Sequence, residues 1–155
     1  MMALMDSRSV ETVFHTEHAR LWRSLFAYSG SREIADDSAA EAFAQALRRG
    51  PKLRDPAAWI WRSSFRIAAG LLKSRSAVVL LENVDDRPVH DEPVVHLLSS
   101  LATLSPQQRA IVSLRYVGGF DIEHIAEVLD TTAQSVRVQL HRSHKTLRPI
   151  LEGTP

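Results

Sequence analysis

Arg137, Arg142, Lys145 and Arg148 recur along one stretch, with Val138 and His141 among them and no acidic residue from Ala133 to Arg148. A guanidinium is a planar fork that can grip guanine or phosphate with two parallel bonds, while an ammonium acts as a point charge. Val138 offers only apolar contact, for example to a thymine methyl, and His141 donates or accepts according to its tautomer. Such a set suits the edge of a DNA duplex. It also suits an ordinary helical hairpin with one basic, solvated face.

A second group lies at residues 48–76, where 8 basic residues stand against a lone Asp55. Helical spacing puts Trp59, Arg62, Arg66 and Lys73 on one side, opposite a band of Ile60, Trp61, Phe65, Ile67, Ala68, Leu71 and Leu72. Arginine beside an accessible aromatic is chemistry for single-stranded DNA, in which unstacked bases meet ring faces. A core tryptophan accounts for Trp59 equally well. His15 and His18, at i and i+3, lack a third ligand nearby and read as solvated or packing residues, so no metal is expected. A Gly-rich phosphate loop, a nucleophile–base pair and a carboxylate–histidine cluster are all missing, and neither an enzyme nor a cofactor is expected.

The elements that position these residues are helical throughout. Ile122, Ile125, Ala126 and Leu129 recur at i, i+3, i+4, i+7; Val136, Leu140 and Leu147 form a second apolar stripe. Between them, Asp130-Thr131-Thr132 gives a residue that tolerates a left-handed turn and then a helix cap. Two short amphipathic helices joined by a tight turn read as a helix-turn-helix. Upstream, Ser105-Pro106-Gln107-Gln108 is a capping box that opens a helix running to Gly118-Gly119. Asp55-Pro56 opens another. Residues 11–29 and 32–49 make two more, the first ended by Gly30 and the second by Gly50-Pro51. On the second, Ile34, Ala35, Ala39, Ala42, Phe43, Ala46 and Leu47 are expected to be buried.

Between the two basic groups the character changes. Residues 77–104 carry 1 basic and 5 acidic residues, whereas residues 1–76 carry 12 and 8. Pro88, Pro93 and five acids without period indicate a linker. The expected architecture is all-α: two small helical domains, at 8–76 and 98–152, joined by an acidic, proline-containing linker at 77–97. A sequence without cysteine excludes disulfides. With no apolar run near the roughly 20 residues of a membrane span and no basic leader, a soluble cytoplasmic protein without membrane insertion is expected.

Two blocks around a variable linker resemble the extracytoplasmic-function sigma factors of bacterial RNA polymerase, a branch of the sigma-70 family. Leu104 to Phe120 is similar to the opening of their C-terminal domain, and Ile125 to Leu129 with Ser135 to Arg142 to its helix-turn-helix. Ala35-Asp36-Asp37 with Glu41-Ala42-Phe43 is similar to the segment that grips the polymerase β′ subunit. Ala58-Trp59-Ile60-Trp61-Arg62 resembles the start of the helix that opens the minus-ten element. Ala40, Ser63 to Arg66, Asp130 and Val138 depart from the family pattern. The resemblance implies a transcription initiation factor that binds core polymerase, through both β′ and β, and promoter DNA. An anti-sigma factor is a further partner it allows. It places Asp37, Glu41 and Phe43 at the polymerase surface, Trp59, Arg62 and Arg66 at the minus-ten element, and Arg137, Val138, His141, Arg142 and Lys145 at the minus-thirty-five element. The competing readings are a free-standing helix-turn-helix regulator and a module whose basic helix binds an acidic protein.

Overall fold

The computed structural model describes residues 9–75 and 92–152. The expected acidic stretch at 77–91 lies outside the described residues. Seven α-helices are described: α1 Val10–Ser29, α2 Arg32–Arg49, α3 Pro56–Ser74, α4 Glu92–Leu101, α5 Pro106–Val112, α6 Ile122–Leu129 and α7 Ala133–Glu152. No strand occurs among the described residues.

Local chemistry sets most of the boundaries. Ser9, Ser31, Asp55 and Asp121 each cap a helix by accepting a backbone N–H two or three positions into it. Gly30, at φ 70°, ends α1 in the left-handed region, where a Cβ would be strained. Both bonds of the Ser105–Gln108 capping box are made, and Pro106 fills the first turn of α5. Past Val112 the chain widens into a π turn, Ser113–Val117, and closes on Gly118, whose N–H bonds the Ser113 carbonyl at 3.0 Å. A Cβ on Gly118 would sit 2.8 Å from the Leu114 carbonyl oxygen, so only glycine fits. Helix α4 starts at Glu92, inside the span expected to be linker, and Pro93 is tolerated there because first-turn N–H groups have no intrahelical acceptor.

Helices α1, α2 and α3 pack as a bundle. Ala35, Ala39, Ala42 and Ala46, at i, i+4, i+7, i+11, are all buried and let α2 approach its neighbours closely. That stripe excludes Leu47, which turns about 100° away from Ala46. Expected in the core, Leu47 is 58 % exposed. Phe14 on α1 is also exposed, at 45 %.

The C-terminal helices pack with α7 against α5 and α6. Gln108 Nε2 donates to Gln139 Oε1 at 3.0 Å, tying α5 to α7. The two halves also meet, through α3 against α6 and α1 against α5 and the π turn. One hydrophobic cluster runs through both halves, joining Leu21, Ile60 and Trp61 to Ile111, Leu114, Ile125 and Val136.

Candidate nucleic-acid interface

Helix α7 has one face fixed and one free. Val136 and Ser143 are fully buried, Leu147 is buried and Leu140 half-buried, which makes an inner stripe at i, i+4, i+7, i+11. Ser143 fits there because its hydroxyl donates to the Gln139 carbonyl at 2.7 Å and leaves no unpaired polar atom. The turn before α7 is held by Asp130, at φ 54° and ψ 54°, and by Thr132, whose Oγ1 accepts from the Ser135 N–H at 3.0 Å. Asp130 stands in for the more permissive glycine, since Asp is one of the few residues that enter this region without undue strain.

On the outer face Arg137, Val138, His141, Arg142 and Lys145 are all exposed. The structure therefore brings together the whole group expected from the sequence. Arg137 Nη2 lies 3.5 Å from Glu123 Oε2, with both side chains more than half exposed. Such a pair contributes little and releases readily. Gln134, also exposed, shares this face through its i+3 and i+4 neighbours Arg137 and Val138. Sequence reading passed over Gln134 because it is uncharged. Its place near the helix N-terminus, where base-reading residues cluster, was the available signal.

The first helix of the pair, α6, carries opposite sign. His124 Nδ1 and its backbone N–H both approach Asp121 Oδ1, at 2.7 and 2.8 Å. The side-chain bond to Asp121 raises the His124 pKa, while the His124 backbone N–H bond lowers that of Asp121. A raised folded pKa favours the charged imidazole, so this contribution is present below the ordinary histidine value and is lost as pH rises through the raised one. An NMR titration is expected to place His124 above an unstructured histidine, and Asp121→Asn to bring it back; an unshifted His124 in the wild type would refute the pairing.

On α3, Arg62 and Arg66 are exposed one turn apart, with Lys52 and Arg54 exposed just before the helix. Trp59 is half-buried against the core, and the Arg49 guanidinium carbon lies 5.0 Å from its ring centroid. A base that stacks on this ring has to displace Arg49 or insert beside it. Trp61, two residues on, is the buried tryptophan at 2 % exposure.

On α2, Asp37 and Glu41 are exposed and engaged with cations, Asp37 at 3.7 Å from Arg75 and Glu41 at 3.4 Å from Arg48. Phe43 is buried, as the apolar pattern of α2 leads one to expect, and so stands behind rather than on the surface that the resemblance assigns to it. It is 6 % exposed, in the core cluster, with its ring edge-on to Phe14 at 5.2 Å. It lies on the inward side of α2, one residue after Ala42, and shapes the surface from beneath. His15 and His18 flank the Phe14 ring, and no cluster of three or more metal-ligating side chains occurs among the described residues. None of the described helices is long and apolar enough to cross a membrane.

Residues 96–147 match the family model described as Sigma-70, region 4. The chain is 27 % identical over 147 residues to the ECF RNA polymerase sigma factor BldN of Streptomyces coelicolor, a match covering 84 % of this chain and 56 % of that protein. The chain thus spans about half the length of this curated relative. Among solved structures, its fold is similar to that of CnrH in complex with the cytosolic domain of CnrY. The TM-score is 0.73 at 18 % identity, over 94 % of this chain and 89 % of that one.

Proposed function

We propose that this chain, a member of the extracytoplasmic-function branch of the sigma-70 family, directs core RNA polymerase to specific promoters. The observation that carries the reading is the outer face of α7: five expected base- or phosphate-contacting residues are exposed together on a helix pinned by its opposite stripe. In this proposal Arg137 and Arg142 read bases of the minus-thirty-five element, Gln134, Val138 and His141 complete the reading edge, and Lys145 holds the backbone. Arg62 and Arg66, with Trp59 beside them, handle the minus-ten element in the single-stranded form. Asp37 and Glu41 face the β′ subunit, with Phe43 supporting them from the core, and β is a second polymerase contact. The complex of CnrH with the cytosolic domain of CnrY supports adding a regulatory protein partner to polymerase and promoter. The setting is cytoplasmic.

Two binding faces on one small chain favour this reading over a free-standing regulator. A lone recognition helix gives limited specificity, which tethering to polymerase beside a second DNA contact raises through effective concentration. The deciding experiment is gel filtration of the purified chain with core polymerase. Co-elution is expected, and a chain that stays apart from core while binding duplex DNA alone would favour the free-standing regulator.

Two further outcomes are expected. Asp37→Arg combined with Glu41→Arg should weaken core affinity at least tenfold by a fluorescence competition assay while circular dichroism stays unchanged; undiminished affinity would remove these carboxylates from the docking surface. Charge reversal at Arg62 or Arg66 should lower the slope of log affinity against log salt for a single-stranded minus-ten oligonucleotide, by about 0.7 for each phosphate no longer neutralised. Variants that keep the wild-type slope would place these arginines off the DNA.

A further inference from the structure

We infer that the C-terminal helices hold a binding site for a small amphiphile, an apolar body with one anionic head group, in a cleft between α4, the π turn and α7. The inference goes beyond promoter binding and does not depend on it. The cleft has a volume of about 410 Å³, within the range of pockets that hold small molecules and cofactors. Leu97 and Leu101 line it from α4, Val112 from α5 and Leu147 from α7. Leu101, Val112 and Leu147 belong to one buried cluster, so their positions are set by packing, while Leu97 stands at 45 % exposure. Ser100 also lines the cleft, but its hydroxyl donates to the His96 carbonyl at 3.0 Å and asks nothing of a ligand. Water against such walls finds few partners, and an apolar body gains by displacing it.

The remaining lining groups supply the polar end. Tyr116 Oη and His144 Nε2 lie 2.7 Å apart, a bond that joins the π turn to α7 across 28 residues. It holds in place an aromatic side chain that is 60 % exposed, which keeps the ring as a wall of the cleft. Arg148, one turn beyond His144, lines the same cleft and is exposed. It makes no ion pair among the described residues. No acidic side chain is among the described residues that line the cleft. A guanidinium without an acid of its own, at the edge of an apolar cleft, is complementary to an anionic head group.

The dimensions favour a small molecule over a peptide helix. Leu97 and Leu101 are one turn apart, as are His144 and Arg148, so each helical wall spans about 6 Å. A helix seated in a groove needs anchors from i to i+7, about 10 Å. Bound in the cleft, the ligand ties α4 to the closing turns of α7 and stabilises the folded chain by mass action.

Two probes that differ in one group test the site and its ligand class: anilinonaphthalene sulfonate, and phenylnaphthylamine, which has the same rings without the sulfonate. Titrated into the full chain, both should give a saturable rise in fluorescence with one site per chain and should raise the melting temperature. Amide shifts on binding should centre on Leu101, Tyr116 and Leu147. Leu97→Glu, at an exposed rim position, should weaken both probes by about tenfold with helical content unchanged. If that variant loses helix, Leu97→Ala, which only shortens the wall, should still weaken both by about threefold. Arg148→Ala should weaken the sulfonate by about tenfold and leave the neutral probe almost unchanged. Absence of saturable binding for both probes, or shifts centred on Trp61 and Phe120 instead, would overturn the site. Equal loss of both probes in Arg148→Ala would overturn the anionic head group. None of these readouts involves polymerase or DNA, so failure of the promoter-binding reading leaves the test intact.

Discussion

Arg137→Ala and Arg142→Ala are each expected to reduce affinity for the preferred promoter by about 1–3 kcal/mol, roughly 5- to 140-fold, and to relax preference at one or two base pairs of the minus-thirty-five element. The magnitude follows from what each guanidinium loses and what it gives up to bind. A bidentate contact to a guanine edge discriminates by that amount. The competing pair with Glu123 is long, at 3.5 Å, and exposed, so breaking it costs little. Arg142 has no ion pair among the described residues and is free to reach. Lys145→Ala should behave differently, weakening all sequences alike and reducing the salt slope by about one. Gln134→Ala falls between them, costing affinity only where its amide meets an adenine. The measurement is binding of a randomised promoter library to each variant. If both arginine variants select the wild-type minus-thirty-five sequence, α7 does not read it.

The signals that were legible in the sequence are local ones. Ser105-Pro106-Gln107-Gln108 announces a helix start because every group it needs lies within four residues, and the capping box forms as written. Asp55-Pro56 and Asp130 are readable for the same reason. The outward face of α7 followed from the inward stripe of Val136, Leu140 and Leu147, a matter of periodicity alone. Legibility fails where a partner lies far along the chain. Arg20 meets Gly118 and Arg109 meets Tyr28 across separations of 98 and 81 residues, and nothing beside either arginine marks it as different from a solvated one. Leu47 shows a subtler failure. It looks as apolar and helical as Phe43, but the alanine stripe sets which face of α2 is pressed inward, and it keeps Phe43 and releases Leu47. The two tryptophans divide similarly. Trp59 and Trp61 are two residues apart, about 200° around the helix, so only one can be central to the core.

That division sets the largest stability effect expected here. Trp61→Ala should cost about 3–5 kcal/mol of unfolding free energy, since the ring is 2 % exposed and its removal opens a cavity between the two halves. Phe65 at 6.4 Å, Phe120 at 4.7 Å and Arg20 at 5.0 Å all lose a packing surface at once. Domains of this size are stable by only about 5–15 kcal/mol, so the variant should be marginal at 37 °C. Trp61→Phe should cost less: most of the apolar volume stays, while Glu17 loses the indole donor but keeps Arg20. Trp59→Ala should cost less again, because that ring is already half in water. Urea titrations followed by circular dichroism give the ranking. Because the hydrophobic cluster runs unbroken from Trp61 to Ile125 and Val136, wild type should unfold in one transition, and Trp61→Ala should separate it into two as the halves uncouple. A Trp59→Ala variant less stable than Trp61→Ala would mean that the wrong tryptophan has been placed at the centre of the fold.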